Sequence, residues 1–219
     1  KPKDYDNLKN ELKISLKNND YNFETGIKSF ENLQKANNDK YEYVFPYYNF
    51  SKILSDDEFS GTINFVSSGD NILNNTNVLK STITNDLEYK SEDYILLNGF
   101  RNFFEIDLRN LNSVGKNNSD YKSSPQVEFM SIINLNSSFP LLKQTDKDIS
   151  YLTPKVLLRV NPSDMKDHSA SDKTINVDNI FSKNRLGLGD SFESGRSLTF
   201  GLDYKKEDLN DFNKFFEIK

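Results

Sequence analysis

The stretch DNIFSKNRLGLGDSFESGRSLTFGLDY, residues 178–204, contains the clearest fold signal in the chain. Its first part is a polar loop punctuated by Gly187, Gly189 and Gly195, and residues 197–204 then alternate apolar and polar side chains with period two. Strict alternation predicts a half-buried β-strand, and a long loop that leads into a strand is more often functional than idle. The stretch therefore predicts an all-β protein.

The same alternation recurs along most of the chain. It predicts strands near residues 11–17, 20–30, 41–54, 59–68, 76–89, 98–110, 126–139 and 152–161. Each predicted strand has one apolar face and one face with charges of both signs. The charged face of a soluble sandwich meets water, whereas that of an outer-membrane barrel meets a wet lumen. Long strands, the absence of helical patterns and long connections at 110–124 and 161–195 favour the barrel, but periodicity alone leaves both open.

Composition excludes several classes of protein. The 219 residues are 35% hydrophobic, 28% charged and 13% aromatic, so the chain has the aromatic side chains that disordered segments lack. Its net charge of -5 argues against a general nucleic-acid binder, which has a basic face. The chain contains no cysteine, which excludes disulfides, zinc–thiolate sites and cysteine nucleophiles within it.

The sequence predicts no metal site. His168 is the only histidine and lies in a polar loop, so we interpret it as a surface residue. The aspartates around it are acidic enough to suggest calcium but lack the D-x-D-x-D-G register of a calcium loop. These aspartates are Asp164, Asp167, Asp172 and Asp178.

No pattern predicts catalysis or a cofactor. Glu105 and Asp107 share a strand face, which could serve acid–base chemistry. Arg101 and Arg109 bracket them on that face, so a salt-bridged surface or lumen is the better interpretation. Gly187-Leu188-Gly189 lacks the third glycine and the following helix of a dinucleotide fold. We therefore predict that the protein is not an enzyme.

The opening stretch resembles the loop-to-strand signature in the barrel domain of the outer-membrane lipopolysaccharide-assembly protein, the LptD family. The matching positions are Asp178, Asn179, Phe181, Asn184, Arg185, Gly189, Asp190, Glu193 and Gly195. Three proline-containing segments agree with that family in order, so the collinear resemblance covers about residues 41–204. They contain Pro46, Pro125 and Pro154, which we expect at strand starts near the membrane interface, because proline cannot donate to a ladder.

The resemblance implies a partial antiparallel transmembrane β-barrel, of which residues 1–219 supply roughly ten strands. It implies location in the cell outer membrane and a role in inserting lipopolysaccharide into the outer leaflet through a hydrated barrel with a lateral exit. The implied partners are lipopolysaccharide, outer-membrane lipid, a plug lipoprotein of LptE type and a periplasmic bridge protein of LptA type. We expect a fragment without the family's N-terminal periplasmic domain and last barrel strands.

Under this interpretation the charged faces line the wet interior. The residues expected there are Glu88, Arg101, Glu105, Asp107, Arg109, Glu128, Lys155, Arg159 and Asp203. Arg101, Arg109 and Arg159 are the candidates for transient phosphate contacts. The long loop 161–195 is expected outside the cell or folded into the lumen, with Arg185 paired to a nearby acid. The alternatives are a generic outer-membrane porin and a soluble β-rich binding module.

Overall fold

The computed structural model describes residues 6–35, 40–56, 60–164, 173–189, 191–211 and 214–218. These residues form strands and connections and include no α-helix. No helix among them is long and apolar enough to cross a membrane. Four residues discussed above lie outside the described ranges: Asp167, His168, Asp172 and Asp190.

Alternating sequence forms long strands, as predicted. The strands are β1 (Asn7–Lys17), β2 (Tyr21–Asn32), β3 (Tyr41–Asp56), β4 (Gly61–Asn74), β5 (Val78–Ser91), β6 (Tyr94–Ile95), β7 (Arg101–Lys116), β8 (Gln126–Ser138), β9 (Leu141–Gln144), β10 (Asp148–Asn161), β11 (Gly195–Asp208) and β12 (Phe215–Ile218). The connection between β10 and β11 is the longest and contains most of the stretch that opened the sequence analysis.

The strands form one antiparallel sheet, which confirms the predicted all-β antiparallel fold. The order is β1-β2-β3-β4-β5-β7-β8-β10-β11-β12, with β6 paired to β7 and β9 paired to β10. Within the described residues the sheet is open, because β1 and β12 stand at opposite ends of this order and do not pair with each other.

The chain divides into two compact units. The first comprises the described residues of 1–55, 63–88 and 108–129. In it β1 pairs with β2 residue by residue, from Asn7 opposite Asn32 to Lys17 opposite Asn22. The register between β2 and β3 shifts between Gly26 and Lys28.

The second unit comprises the described residues of 56–62, 89–107 and 130–219. Its centre is β10, which pairs with β11 along its whole length, from Asp148 opposite Asp208 to Asn161 opposite Gly195. On its other side β10 pairs first with β9 and then with β8.

Pro46 and Pro154 lie inside strands rather than at strand starts, and Pro46 lies at a β-bulge, where a proline within a strand is expected. Pro46 lies within β3 beside the register shift with β2. Pro154 lies within β10, between the part that pairs with β9 and the part that pairs with β8, which begins at Lys155. A proline is tolerated at such positions because ladder pairing is already interrupted there. Pro125 directly precedes β8.

The exposed face of the strands is the apolar one. In β10, Leu158 is 42% exposed whereas the adjacent Arg159 is 0% exposed. In β11, Phe200 is 72% exposed whereas Thr199 is buried. Neighbouring strand residues point to opposite faces, so the outward face of these strands carries large apolar side chains. The covered face combines charged and amide side chains such as Arg159 and Asn134 with apolar ones such as Leu157 and Ile132.

Candidate functional site: the loop-covered polar face

Part of the connection after β10 lies on the polar face of the second unit. We call residues 173–189 and 191–194 the docked loop. The covered face is the polar side of β7, β8, β10 and β11 in this unit, and it includes Asp107, Asn134 and Arg159. The Lys183 ammonium of the docked loop lies 2.9 Å from the Asp107 carboxylate of β7. This contact joins residues 76 positions apart, so the loop folds back across the sheet.

Asparagine side chains shape the docked loop from within. Asn176 Oδ1 accepts from the backbone N–H groups of Asp178 and Asn179, and Asn179 Nδ2 donates to Thr174 O at 2.8 Å. Asn184 Nδ2 donates to Leu188 O while Asn184 Oδ1 accepts from Leu188 N–H. Such side-chain bonds to the local backbone replace the ladder that an extended chain would need.

A bidentate salt bridge closes the second half of the docked loop. Arg185 Nε donates to Glu193 Oε2 at 2.8 Å, and Arg185 Nη2 donates to Glu193 Oε1 at 2.5 Å. The Arg185 side chain is only 7% exposed and that of Glu193 is 19% exposed. Glu193 is therefore the acid that was expected beside Arg185 from the sequence. This salt bridge holds the second half of the docked loop together.

Arg159 attaches the docked loop to β10. Its Nη2 donates to Glu193 O at 2.7 Å and its Nε donates to Lys183 O at 3.4 Å. Asn161, two residues along the same strand face, donates its Nδ2 to the same Glu193 O at 2.8 Å. Two covered side chains of β10 therefore converge on one carbonyl oxygen of the loop.

An aromatic contact adds a third attachment. Phe181 lies against Gly201 of β11, where an added Cβ would approach the ring to within 2.6 Å. The Lys155 ammonium lies 4.4 Å from the centre of the Phe181 ring and 2.7 Å from Asp203 Oδ2. Only a glycine at position 201 leaves room for the ring this close to the sheet. The apolar side chains of Leu188 and Phe192 are buried in the same loop.

Most side chains predicted to line a wet interior are held by charges or amides nearby. The described contacts are Arg101 with Asp93, Arg109 with Asp86, Glu105 with Lys90, Asp107 with Lys183, Lys155 with Asp203 and Glu88 with Asn64. The backbone carbonyl of Glu128 accepts from Asn110 Nδ2. In both units these predicted side chains therefore carry charges of both signs with partners nearby, whereas their exposure to a lumen stays a prediction.

The three arginines proposed for phosphate contacts differ from one another. Arg109 makes a bidentate salt bridge with Asp86, with N···O distances of 2.7 and 2.8 Å. Arg101 Nη2 lies 2.5 Å from Asp93 Oδ2. Arg159 binds backbone carbonyls and has no carboxylate partner among the described residues. The structure thus separates Arg159 from the other two.

The docked loop contains contributors that sequence reasoning missed. Lys183 was not predicted, because its partner Asp107 lies far away in sequence and no local spacing marks the pair. Its position directly before Asn184 and Arg185 was the only available signal. Among the motif positions of the resemblance, Gly195 adopts a positive φ of 95° where the loop enters β11. Asp178 and Gly189 lie at exposed positions of the loop.

The described residues contain no group of three or more histidine, aspartate and glutamate side chains placed to hold a metal ion. Asp164 and Asp178, the two described members of the acidic set, therefore form no such group with other described residues.

Comparison with protein-family models and with curated proteins finds no match for this chain.

Proposed function

We propose that this chain forms part of the wall of an outer-membrane β-barrel that inserts lipopolysaccharide into the outer leaflet through a hydrated interior with a lateral exit. The observation that carries the proposal is the exposure of large apolar side chains on the face opposite the covered charged and amide side chains. Phe200 is 72% exposed on one face while Arg159 is fully buried on the other. A lipid-facing surface is apolar because hydrocarbon cannot solvate charges, whereas a water-filled interior accepts them.

Strand length supports a spanning role. β3 and β7 contain 16 residues each, and β5, β10 and β11 contain 14 each. A tilted strand crosses the hydrocarbon core with about 9–11 residues. In the proposed barrel, strands outside this chain pair with the open edges of β1 and β12, because unpaired backbone groups are costly in lipid.

The chemistry of the polar face supports a saccharide and phosphate cargo. In the second unit it combines salt-bridged charges such as Lys155–Asp203 with amides such as Asn134 and Asn161. Amides and paired charges offer both donors and acceptors to sugar hydroxyls, and arginine suits phosphate. The plug lipoprotein of LptE type and the bridge protein of LptA type are proposed on the resemblance alone.

Site-specific photo-crosslinking in cells tests the proposal. A photoreactive amino acid replaces Glu105 on the polar face of the full-length protein, and the matched variant carries it at Leu158 on the exposed apolar face. We expect a lipopolysaccharide adduct at position 105 and phospholipid adducts at position 158. Absence of lipopolysaccharide adducts from position 105 and from other polar-face positions would overturn the proposal, provided that the protein is in the outer membrane.

The same preparation separates the two alternatives. A soluble β-rich module would fractionate without membranes, and its Leu158 variant would give no lipid adduct. A generic porin would be membrane-bound but would purify without a lipoprotein plug and without lipopolysaccharide adducts on its polar face.

A further inference from the structure

We infer that Arg159 and Asn161 form a binding site for a phosphate oxygen, and that the docked loop occupies this site with its own Glu193 carbonyl until cargo displaces it. This inference rests on the proposed function, because the phosphate belongs to the lipid that the barrel moves. The ligand class is a phosphate monoester, supplied by a lipid headgroup or by free phosphate.

The first argument is the convergence of donors. Arg159 Nη2 and Asn161 Nδ2 donate to the same oxygen at 2.7 and 2.8 Å. Two donors that meet at one acceptor are the arrangement by which proteins hold a phosphate or carboxylate oxygen. In the structure a neutral carbonyl oxygen occupies this position, and an anionic oxygen would accept stronger hydrogen bonds from the same two donors.

The second argument is the charge of Arg159. A guanidinium stays protonated in proteins, and Arg159 is 0% exposed. Its Nη1 has no hydrogen-bond partner among the described residues. Arg101, Arg109 and Arg185 each bind a carboxylate, whereas Arg159 alone of these four hydrogen-bonds only to carbonyl oxygens among the described residues and meets the Glu193 carboxylate only through space. A phosphate group would supply the missing negative charge.

The third argument is that the loop can leave without dismantling itself. The Arg185–Glu193 salt bridge and the Asn184–Leu188 pair lie entirely within the docked loop. Its attachments to the sheet include the Lys183–Asp107 salt bridge and the Phe181 contact with Lys155 and Gly201. Release of the loop would uncover the cationic side chains Lys155 and Arg159 on one strand face.

The two occupants therefore compete for the same donors. While the loop is closed, the apparent affinity for phosphate is reduced in proportion to the small fraction of open molecules. Loosening the loop should strengthen phosphate binding without adding any new contact. This result would not follow if Arg159 served only to anchor the loop.

The test uses the full-length protein in nanodiscs. Phe181→Ala loosens the loop without changing any charge, and Phe200→Ala removes the same ring from the exposed face of β11 as the matched control. Binding is measured by calorimetry with inorganic phosphate, with lipopolysaccharide and with enzymatically dephosphorylated lipopolysaccharide. A nitroxide on a cysteine at Ser182, an exposed loop position, reports loop mobility in the same samples.

We expect Phe181→Ala to raise loop mobility and to tighten binding of phosphate and of intact lipopolysaccharide about tenfold, as for a site freed from a mostly closed state. Phe200→Ala should change neither. The double variant of Phe181→Ala with Arg159→Gln should lose the whole gain in affinity. The double variant of Phe181→Ala with Arg159→Lys keeps the positive charge but loses the forked guanidinium, so it should lose only part of that gain.

Three outcomes would overturn the inference: a mobile loop without a gain in affinity, an equal gain in the Arg159→Gln double variant, or an equal gain for dephosphorylated lipopolysaccharide. A gain for inorganic phosphate alone would overturn the assignment to a lipid headgroup. If lipopolysaccharide still crosslinks at position 105 while these tests fail, the inference falls and the proposed function stands.

Discussion

At the scale of single residues, the salt bridges among the described residues differ in how deeply their side chains are buried. The Arg185–Glu193 pair is bidentate and largely buried, whereas the Lys214–Asp211 pair is 74% and 41% exposed. Breaking a buried pair by removing one partner leaves an uncompensated charge and is strongly destabilising. Exposed pairs contribute little because water screens them. The two pairs should therefore respond differently to the same kind of substitution.

Glu193→Gln should lower the free energy of opening of the docked loop by about 3 kcal/mol, because Arg185 would remain buried without a carboxylate. Hydrogen exchange of the loop amides measures this quantity. Asp211→Asn is the matched control and should change local protection by less than about 1 kcal/mol. Equal effects of the two substitutions would contradict the ranking by burial.

Asp93, in the connection between β5 and β6, should titrate below the usual carboxyl range. The hydrogen bond from Arg101 lowers the pKa of Asp93. A lowered folded-state pKa stabilises the fold above the pKa of the unfolded carboxyl, about 3.9, and that stabilisation is lost as the pH falls through the folded value.

Carbon-13 NMR titration of the Asp93 carboxyl checks the prediction. Arg101→Gln should return the Asp93 pKa to the ordinary aspartate range. An identical titration curve in that variant would show that Arg101 is not the cause.

At the scale of strands and loops, glycine placement decides where the loop can dock. An added Cβ at Gly201 would meet Phe181 Cζ at 2.6 Å and Lys155 Cε at 2.9 Å. Gly189 in the docked loop has no other atom within 4 Å of such a Cβ. Alanine should therefore disrupt the packing at position 201 on β11 and be tolerated at position 189 in the docked loop.

Gly201→Ala should displace the Phe181 ring and expose the docked loop to proteolysis, with a rate increase of about tenfold or more, which corresponds to about 1.4 kcal/mol of lost docking energy. Gly189→Ala is the control and should be cleaved at the rate of the unchanged protein. A loop that stays protected in Gly201→Ala would contradict the close packing of Phe181 on β11.

Strand pairing also assembles a row of part-buried polar side chains in the first unit. Tyr48 and Ser67 share a hydrogen bond at 3.1 Å, Ser67 donates to Asn85, and Asn85 donates to Asn110, which also accepts from Asn112. Within their strands these polar residues are interspersed with apolar residues of the kind predicted for the strand faces. The row was not predicted, since its members come from separate strands and only pairing brings them together.

Asn85→Leu should destabilise the sheet by about 1–3 kcal/mol, because Ser67 and Asn110 would lose their partner in apolar surroundings. Ile83→Leu, on the same face of the same strand, conserves volume and should cost less than about 1.5 kcal/mol. Denaturant unfolding in detergent compares the two variants. A stabilised Asn85→Leu protein would mean that the row is not a satisfied hydrogen-bond network.

At the scale of the whole molecule, the proposed membrane location depends on the exposed apolar face. The chain contains no tryptophan, so a single introduced tryptophan reports its own surroundings within it. Phe200 is 72% exposed on the apolar face, and Phe103 is half-buried on the polar face of β7.

Fluorescence of Phe200→Trp should be quenched by brominated lipids in vesicles, because its ring would lie among the acyl chains. Phe103→Trp should not be quenched by brominated lipid. Aqueous acrylamide should quench it if the ring meets water and should leave it unquenched if the ring is covered. Equal quenching of the two by brominated lipid would contradict the assignment of faces.

Local pattern predicted the strands and their sidedness because alternate residues of a strand point to opposite faces regardless of what they pair with. Leu158 and Arg159 could thus be assigned to different faces from sequence alone. Pro154 was misplaced because the change of partner from β9 to β8 leaves no local mark.

The sequence by itself determined an all-β chain whose strands have one apolar and one mixed-charge face, since both properties follow from period-two alternation. Only the tertiary structure decided which face is covered, and only it brought Lys183 to Asp107 and Glu193 to Arg159 across 76 and 34 positions. Such contacts depend on strand order and on the course of the loop after β10. No residue encodes them through its immediate neighbours.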